Sequence, residues 1–382
     1  MSSYFTLITF IIAIAAVIGA AEPASLPDTV NRKTTLPALR TRSDSVPYYF
    51  YQPYDFGSQS KYNPGDFFIN GGFGVWQFAG TQKVLELPYE ESFKGTGESL
   101  LHPIKAIEDF GVEEWFFSEI CPRSLEMKHG QFVPNYFLHT LGAGMQSRKM
   151  EEWYRYHKIP LPRVWSIVTM TVEHYFEEMV ENGGSYALNK DPVSDFYIFN
   201  PAGILLFLNE GVCRFFSEKL ILNEWSLQPS INFRTGKLEN GGQFYVGKIP
   251  LGRTHTWGLV SYFGMQEMFG VTRTFSNDRN FSIMGGPIVN NLQDASVSQN
   301  QKAYTASLRW SAGAFYDVKN SALISLSMSG ADHNKLRLNI YPGVLKIGSF
   351  SPGIFLQNTG EWVAGISIRY CPLGASIGTA GG

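Results

Sequence analysis

The sequence predicts a mainly β protein with an α-helical block: an outer-membrane antiparallel β-barrel of about ten strands (range roughly eight to twelve) with a helical plug or cap. Three observations lead there. From residue 226 to 371 the chain reads as alternating, aromatic-rich segments cut by Gly, Asn and Asp. Within 303–315, Tyr304, Ala306, Leu308, Trp310, Ala312 and Ala314 alternate with Thr305, Ser307, Arg309, Ser311 and Gly313. Side chains on a strand alternate faces, so this ribbon has one apolar side and one small, polar side. Secondly, residues 1–21 carry no charge and end in Gly19-Ala20-Ala21, the small residues of a signal-peptide cleavage site; an uncleaved signal anchor is the rival reading. Thirdly, the chain holds 38 glycines and 15% aromatic residues, and nothing after the leader approaches the ~20 apolar residues of a helical span. An exported chain of this kind enters a membrane through strands, with polar residues inward and apolar residues toward lipid. A soluble β-sandwich shows a similar alternation and is the competing fold.

In chain order, the signal peptide (1–21) is followed by a flexible, aromatic-rich segment over 22–64. Its aromatics between 47 and 64 suit packing over a core or a membrane interface. An early strand (66–79) opens the block over 65–225, whose helices are expected at 100–110, 132–157, 162–182 and 193–217. Pro134 and Pro162 suit first turns, Asn182-Gly183-Gly184 is a stop, and Pro201 is expected to kink the last stretch. Barrel strands occupy 226–371, at 230–235, 243–249, 256–265, 303–315, 321–329, 336–341 and 361–371. An even number is expected, with 290–301 as a surface loop and 372–382 as a small-residue tail. Arg309, Arg337 and Arg369 fall on the non-lipid register of their strands, where a barrel interior tolerates charge.

The formal net charge of −2 and the lack of a basic cluster argue against nucleic acid as a partner. Cys121, Cys213 and Cys371 form no CxxC and no metal spacing; they read as incidental, with one disulfide possible in an oxidising compartment.

Concentrated polar chemistry occurs only in the helical block. Asn135, His139, Gly142 and Gln146 share one face of the 132–157 helix, and Ser166, Met170, Glu173 and Glu177 share one face of the next. His174 sits about 100° round that helix from Glu173, so the two do not face one ion on a regular helix. Asp195 opens the third stretch. The catalytic candidates are therefore His139, Glu173, His174, Glu177 and Asp195: imidazoles and carboxylates able to act as an acid–base pair or to bind a divalent metal. The helical block holds no HExxH, no GxSxG elbow and no repeated ExxH motif, so neither a metal centre nor a cofactor is assigned. The competing reading is an interhelical His–carboxylate pair that fixes helix register without chemistry. Arg148, Lys149, Glu151, Glu152, Glu178 and Glu181 read as solvated faces.

The run of His139, Glu173-His174, Glu177, Ser194-Asp195, Pro201-Ala202-Gly203 and Asn209-Glu210 resembles a bacterial envelope family of unknown function, over about residues 133–218. The resemblance implies a leader, a helical block of this layout, a trailing β-rich region and an envelope location. It implies no established activity. The expectation is thus an outer-membrane protein of structural or solute- and lipid-handling type, with membrane lipid and a small solute or lipid ligand as partners. Two other expectations compete with it: a lipid-modifying enzyme using the His/Glu/Asp cluster, and a soluble periplasmic binding protein.

Overall fold

A computed structural model describes residues 47–378, except 78–82, 122–131, 183–187, 265, 299–300 and 333. The expected signal peptide (1–21), the polar segment 22–46 and residues 379–382 lie outside the described residues.

From residue 47 the chain is packed, not flexible. Tyr48, Phe50, Tyr51 and Tyr62 are buried, so these aromatics take the core role of the two expected. Glu152 accepts the backbone N–H groups of Tyr49, Phe50 and Tyr51 at 2.9, 2.8 and 2.8 Å. A short turn, Ser58–Lys61, then crosses the ends of several strands. Around it Gly57 N–H donates to Pro342 O at 2.6 Å, Tyr370 N–H to Ser60 O at 3.4 Å, and Ser321 Oγ to Phe56 O at 3.0 Å.

The expected strand at 66–79 is a helix instead, α1 (Pro64–Gly72). Asn63 Oδ1 accepts from the N–H groups of Gly65 and Asp66 at 2.9 and 3.0 Å, and Pro64 supplies a first-turn residue. This cap outweighs the glycine-rich pattern. The glycines serve close approach: a Cβ on Gly71 would lie 1.9 Å from Glu173 Oε1. Helices α2 (Tyr89–Leu101) and α3 (Pro103–Phe110) meet at His102. A π-helical stretch, Asn135–Gly142, leads into α4 (Ala143–Tyr156), and α5 (Pro162–Asn182) has the expected bounds. The last helical region is interrupted: Asp191–Ser194, a π-helical turn Asp195–Phe199, α6 (Asn200–Phe207), then Glu210–Arg214. Its 81° bend falls between Phe207 and Glu210, not at Pro201. Pro201 sits in the first turn of α6, where a missing N–H costs no helical bond. No single described helix is long and apolar enough to cross a membrane.

The expectation of solvated faces fails on α4 and α5. Arg148, Lys149, Glu151, Glu152 and Glu178 are buried, because α4 lies between the aromatic segment, α5 and the sheet. Lys149 Nζ reaches Glu224 Oε2 at 2.8 Å, and Arg148 Nε reaches Glu152 Oε1 at 3.0 Å.

The β region forms one sheet: β1 (Asn223–Glu224), β2 (Ser230–Asn232), β3 (Leu238–Glu239), β4 (Phe244–Leu251), β5 (Trp257–Gly264), β6 (Met268–Thr274), β7 (Arg279–Ser298), β8 (Gln301–Val318), β9 (Ser321–Ser329), β10 (Leu336–Ile340), β11 (Gly353–Asn358), β12 (Trp362–Ser367) and β13 (Gly374–Gly378). The order is β1-β4-β5-β6-β7-β8-β9-β10-β11-β12-β13-β2-β3. Thirteen segments replace the expected ten or so. Most of 290–301 belongs to β7 instead of a loop, and part of the small-residue tail forms β13. Strands β4 to β13 pair antiparallel in succession, but β13 pairs parallel with β2, which an even, wholly antiparallel ring does not contain. Between the short ladders β1·β4 and β2·β3, Trp225 N–H donates to Phe244 O at 2.8 Å and Leu227 N–H to Gly242 O at 3.0 Å.

The sheet has one open apolar face and one buried face that mixes polar and apolar side chains. On one face Phe269, Ile283, Trp310 and Ile377 are 64, 57, 58 and 69% exposed. On the other, Lys248, Thr272, Ser282, Asp317, Arg337, Asn339, Gln357 and Ser367 are buried. Buried polar groups persist only when paired. Lys248 Nζ lies 2.6 Å from Asp317 Oδ2, Gln228 Nε2 donates to Asn339 Oδ1 at 3.1 Å, and Gln357 Nε2 to Glu239 Oε2 at 2.7 Å. These bonds join strands far apart in the order. The Phe315 ring likewise meets those of Trp225 and Tyr262, with centroids 5.6 and 4.9 Å away. The sheet therefore folds back on its own buried face. Arg337 lies on that face as expected, whereas Arg369 falls beyond β12, where its Nη1 donates to Asp55 O at 3.0 Å.

The helices pack on the opposite side. Tyr245, in register with exposed Ile249 and Leu251, meets Phe50 and Met145, while Leu238 meets Phe73 and Val180. Of the expected helical plug or cap, the plug finds no support: the buried face is filled by the sheet's own side chains, and the described helices pack against β1 to β5 on the other face.

Candidate functional site

Four of the five candidates converge through helix geometry. Glu173, His174 and Glu177 lie on α5, His139 on the π-helical stretch before α4, and Asp195 on the π-helical turn before α6. Widened turns of this kind recur at functional sites because they re-aim a side chain without ending the helix. His139 Nε2 faces Asp195 Oδ2 at 3.5 Å, and the two imidazole rings stand 6.1 Å apart. His174 Nδ1 lies 3.5 Å from Glu177 Oε2 and 3.1 Å from Glu173 Oε2. Donor atoms of His139, His174 and Glu177 fall within 4.8 Å of one another; Glu173 is outside that set, as its helical angle predicts.

These side chains line a cleft with Asn70 and Gly71 of α1, Met170 of α5, and Gln243 and Tyr245 at the start of β4. Its space of about 30 Å³ accommodates an ion or a water, not an acyl chain. The walls are tight: a Cβ on Gly142 would lie 2.7 Å from the Tyr245 ring. Asn70, Gln243 and Tyr245 were not legible in the sequence, since they belong to elements far from the helices that carry the charge.

Burial pushes the Glu173 carboxyl well up from the usual carboxylate range, and neighbouring Glu177 adds to the shift. Burial pushes the His174 imidazole down, with Glu177 opposing. In both groups burial favours the neutral form. Burial also raises Asp195 and Glu178, two neighbouring carboxyls. Glu173 Oε2, both nitrogens of His174 and Asp195 Oδ1 are buried without a hydrogen-bond partner. The expected interhelical pair exists in His139–Asp195, but it leaves these atoms unmet, which a purely structural pair does not require. Two imidazoles and a carboxylate of this kind suit a three-ligand site for a transition metal, or a proton relay.

Cys121, Cys213 and Cys371 are all free thiols. Comparison with family models, curated proteins and solved structures found no match for this chain.

Proposed function

We propose that this chain is an outer-membrane β-barrel protein of structural or lipid-handling type, with its helical block seated beside the barrel at the membrane interface. One observation carries the reading: a broad apolar sheet face is open to the surroundings, while the opposite face buries polar side chains beside an aromatic cluster. Water disfavours that arrangement and lipid favours it. Barrel closure is supported by register. β1 and β2 pair with β4 and β3 along one continuing hairpin ladder, so β2 brings β13 back to the strand that begins the sheet. Counting β1 with β2 and β3 with β4 leaves eleven strands, and an odd number accounts for the parallel seam.

The helices share the apolar exterior. Val164, Trp165, Ile167, Val168 and Val172 of α5 and Leu205 of α6 are exposed. Such faces suit the interfacial region of a bilayer. The interior is occupied by Trp225, Phe244, Tyr262, Phe315 and Tyr341, which favours a structural or lipid-facing role over solute conduction. Heat-modifiability on a gel tests the reading: a detergent-extracted sample run unboiled is expected to migrate faster than the boiled one. Equal migration together with release from membranes by carbonate would contradict it.

A further inference from the structure

We propose that His139, His174 and Glu177 bind a divalent transition-metal ion of the zinc class. Donor atoms from two helical elements, the π-helical stretch (His139) and α5 (His174 and Glu177), lie within 4.8 Å of one another. A tetrahedral ion with ligands at ~2.0–2.2 Å places its donors about 3.4 Å apart, so a contraction of about 1 Å completes the set. A second, independent observation points to a missing ligand. His174 is more than nine-tenths buried, yet its Nε2 has no hydrogen-bond partner, and its Nδ1 faces the carboxylates of Glu173 and Glu177 at 3.1 and 3.5 Å without a well-aligned bond. Burying an imidazole in that condition costs free energy that a coordinated cation would offset.

The donor types select the ion. Two nitrogens and one carboxylate oxygen favour zinc, iron or manganese over calcium or magnesium, which take oxygen ligands almost alone. Three protein ligands leave a coordination position open toward the cleft, whose volume fits one water. Asp195, 3.5 Å from His139 Nε2, supplies the orienting carboxylate that metal-bound histidines characteristically carry. Tyr245 and Gln243 close the site from the sheet side, so the ion would tie the helical block to β4.

The test uses the full-length protein in detergent, stripped with chelator and then titrated with zinc under equilibrium dialysis. One tightly held ion per chain is expected. His174→Ala and His139→Ala should each weaken binding on the order of 100-fold or more. Asp195→Asn, a positioning change, should weaken it by about 10–100-fold. His255→Ala, outside the site, should leave it unchanged. If a ligand variant fails to fold, cobalt substitution of the wild-type protein decides the matter. An intense visible spectrum of four- or five-coordinate cobalt is expected, and a weak spectrum like that of the hydrated ion would overturn the proposal. So would zinc binding that survives His174→Ala. None of these outcomes depends on the barrel reading.

Discussion

Val271→Arg is expected to destabilise the protein in lipid by about 2–4 kcal/mol, the cost of an arginine on the lipid face near a barrel's midplane. Val271 is the central residue of β6 and is 49% exposed. It pairs across the sheet with Leu259 on β5 and Ile283 on β7, both also exposed, so the substitution places a charge within an apolar ladder. Urea unfolding of protein refolded into phospholipid vesicles measures the effect. The sign is diagnostic. If this face met water, as in a periplasmic sandwich, Arg at a half-exposed valine would change stability by no more than about 0.5 kcal/mol. An unchanged midpoint would therefore favour the soluble alternative.

Glu152→Ala is expected to cost about 3–5 kcal/mol, typical of removing one partner from a buried ionic network. The Glu152 carboxylate receives three successive backbone N–H groups and the Arg148 guanidinium, all away from water. Burial pushes its pKa up, and Arg148 together with these N–H donors works against that shift. Alanine would leave the donors unmet and strip the Arg148 charge of its buried carboxylate, leaving it Glu210 at 2.9 Å and the Tyr49 ring at 5.3 Å. Limited proteolysis should then cut within 47–62, a stretch whose burial should make it resistant in the parent protein, and the unfolding midpoint should fall. Full resistance with an unchanged midpoint would show that the aromatic segment is held by packing alone.

Legibility followed the physics of each element. Strands with unbroken alternation could be read directly: β9 has its expected bounds, and β10 was found to within a residue. Strand β6 escaped because Gly270 and Arg273 interrupt its pattern, and β7 because Gly285-Gly286-Pro287 removes two side chains and a donor. The cap Asn63-Pro64 was present in the sequence but was overruled by the neighbouring glycines, whose role is contact with Glu173 and Phe176. Misreading of Arg148, Lys149 and Glu152 had a different cause. A helix that is polar on most of its sides was assumed to face water, whereas α4 is enclosed and pairs its charges with Glu224 and with the backbone of the aromatic segment. Within the site, helical spacing placed Glu173 and Glu177 on one face. The meeting of His139 with His174 depends on the crossing of α5 by the chain before α4, which no sequence interval encodes.

The most direct test of the central claim is fluorescence quenching of Trp310 by brominated acyl chains, in a vesicle-reconstituted variant with the other seven tryptophans replaced by phenylalanine. Trp310 projects from the exposed face of β8, 58% uncovered. With that face in lipid, emission is blue-shifted and strongly quenched by bromine in the acyl region, while aqueous iodide has little effect. Emission at long wavelength, quenched by iodide and insensitive to brominated lipid, would put the face in water and contradict the barrel account.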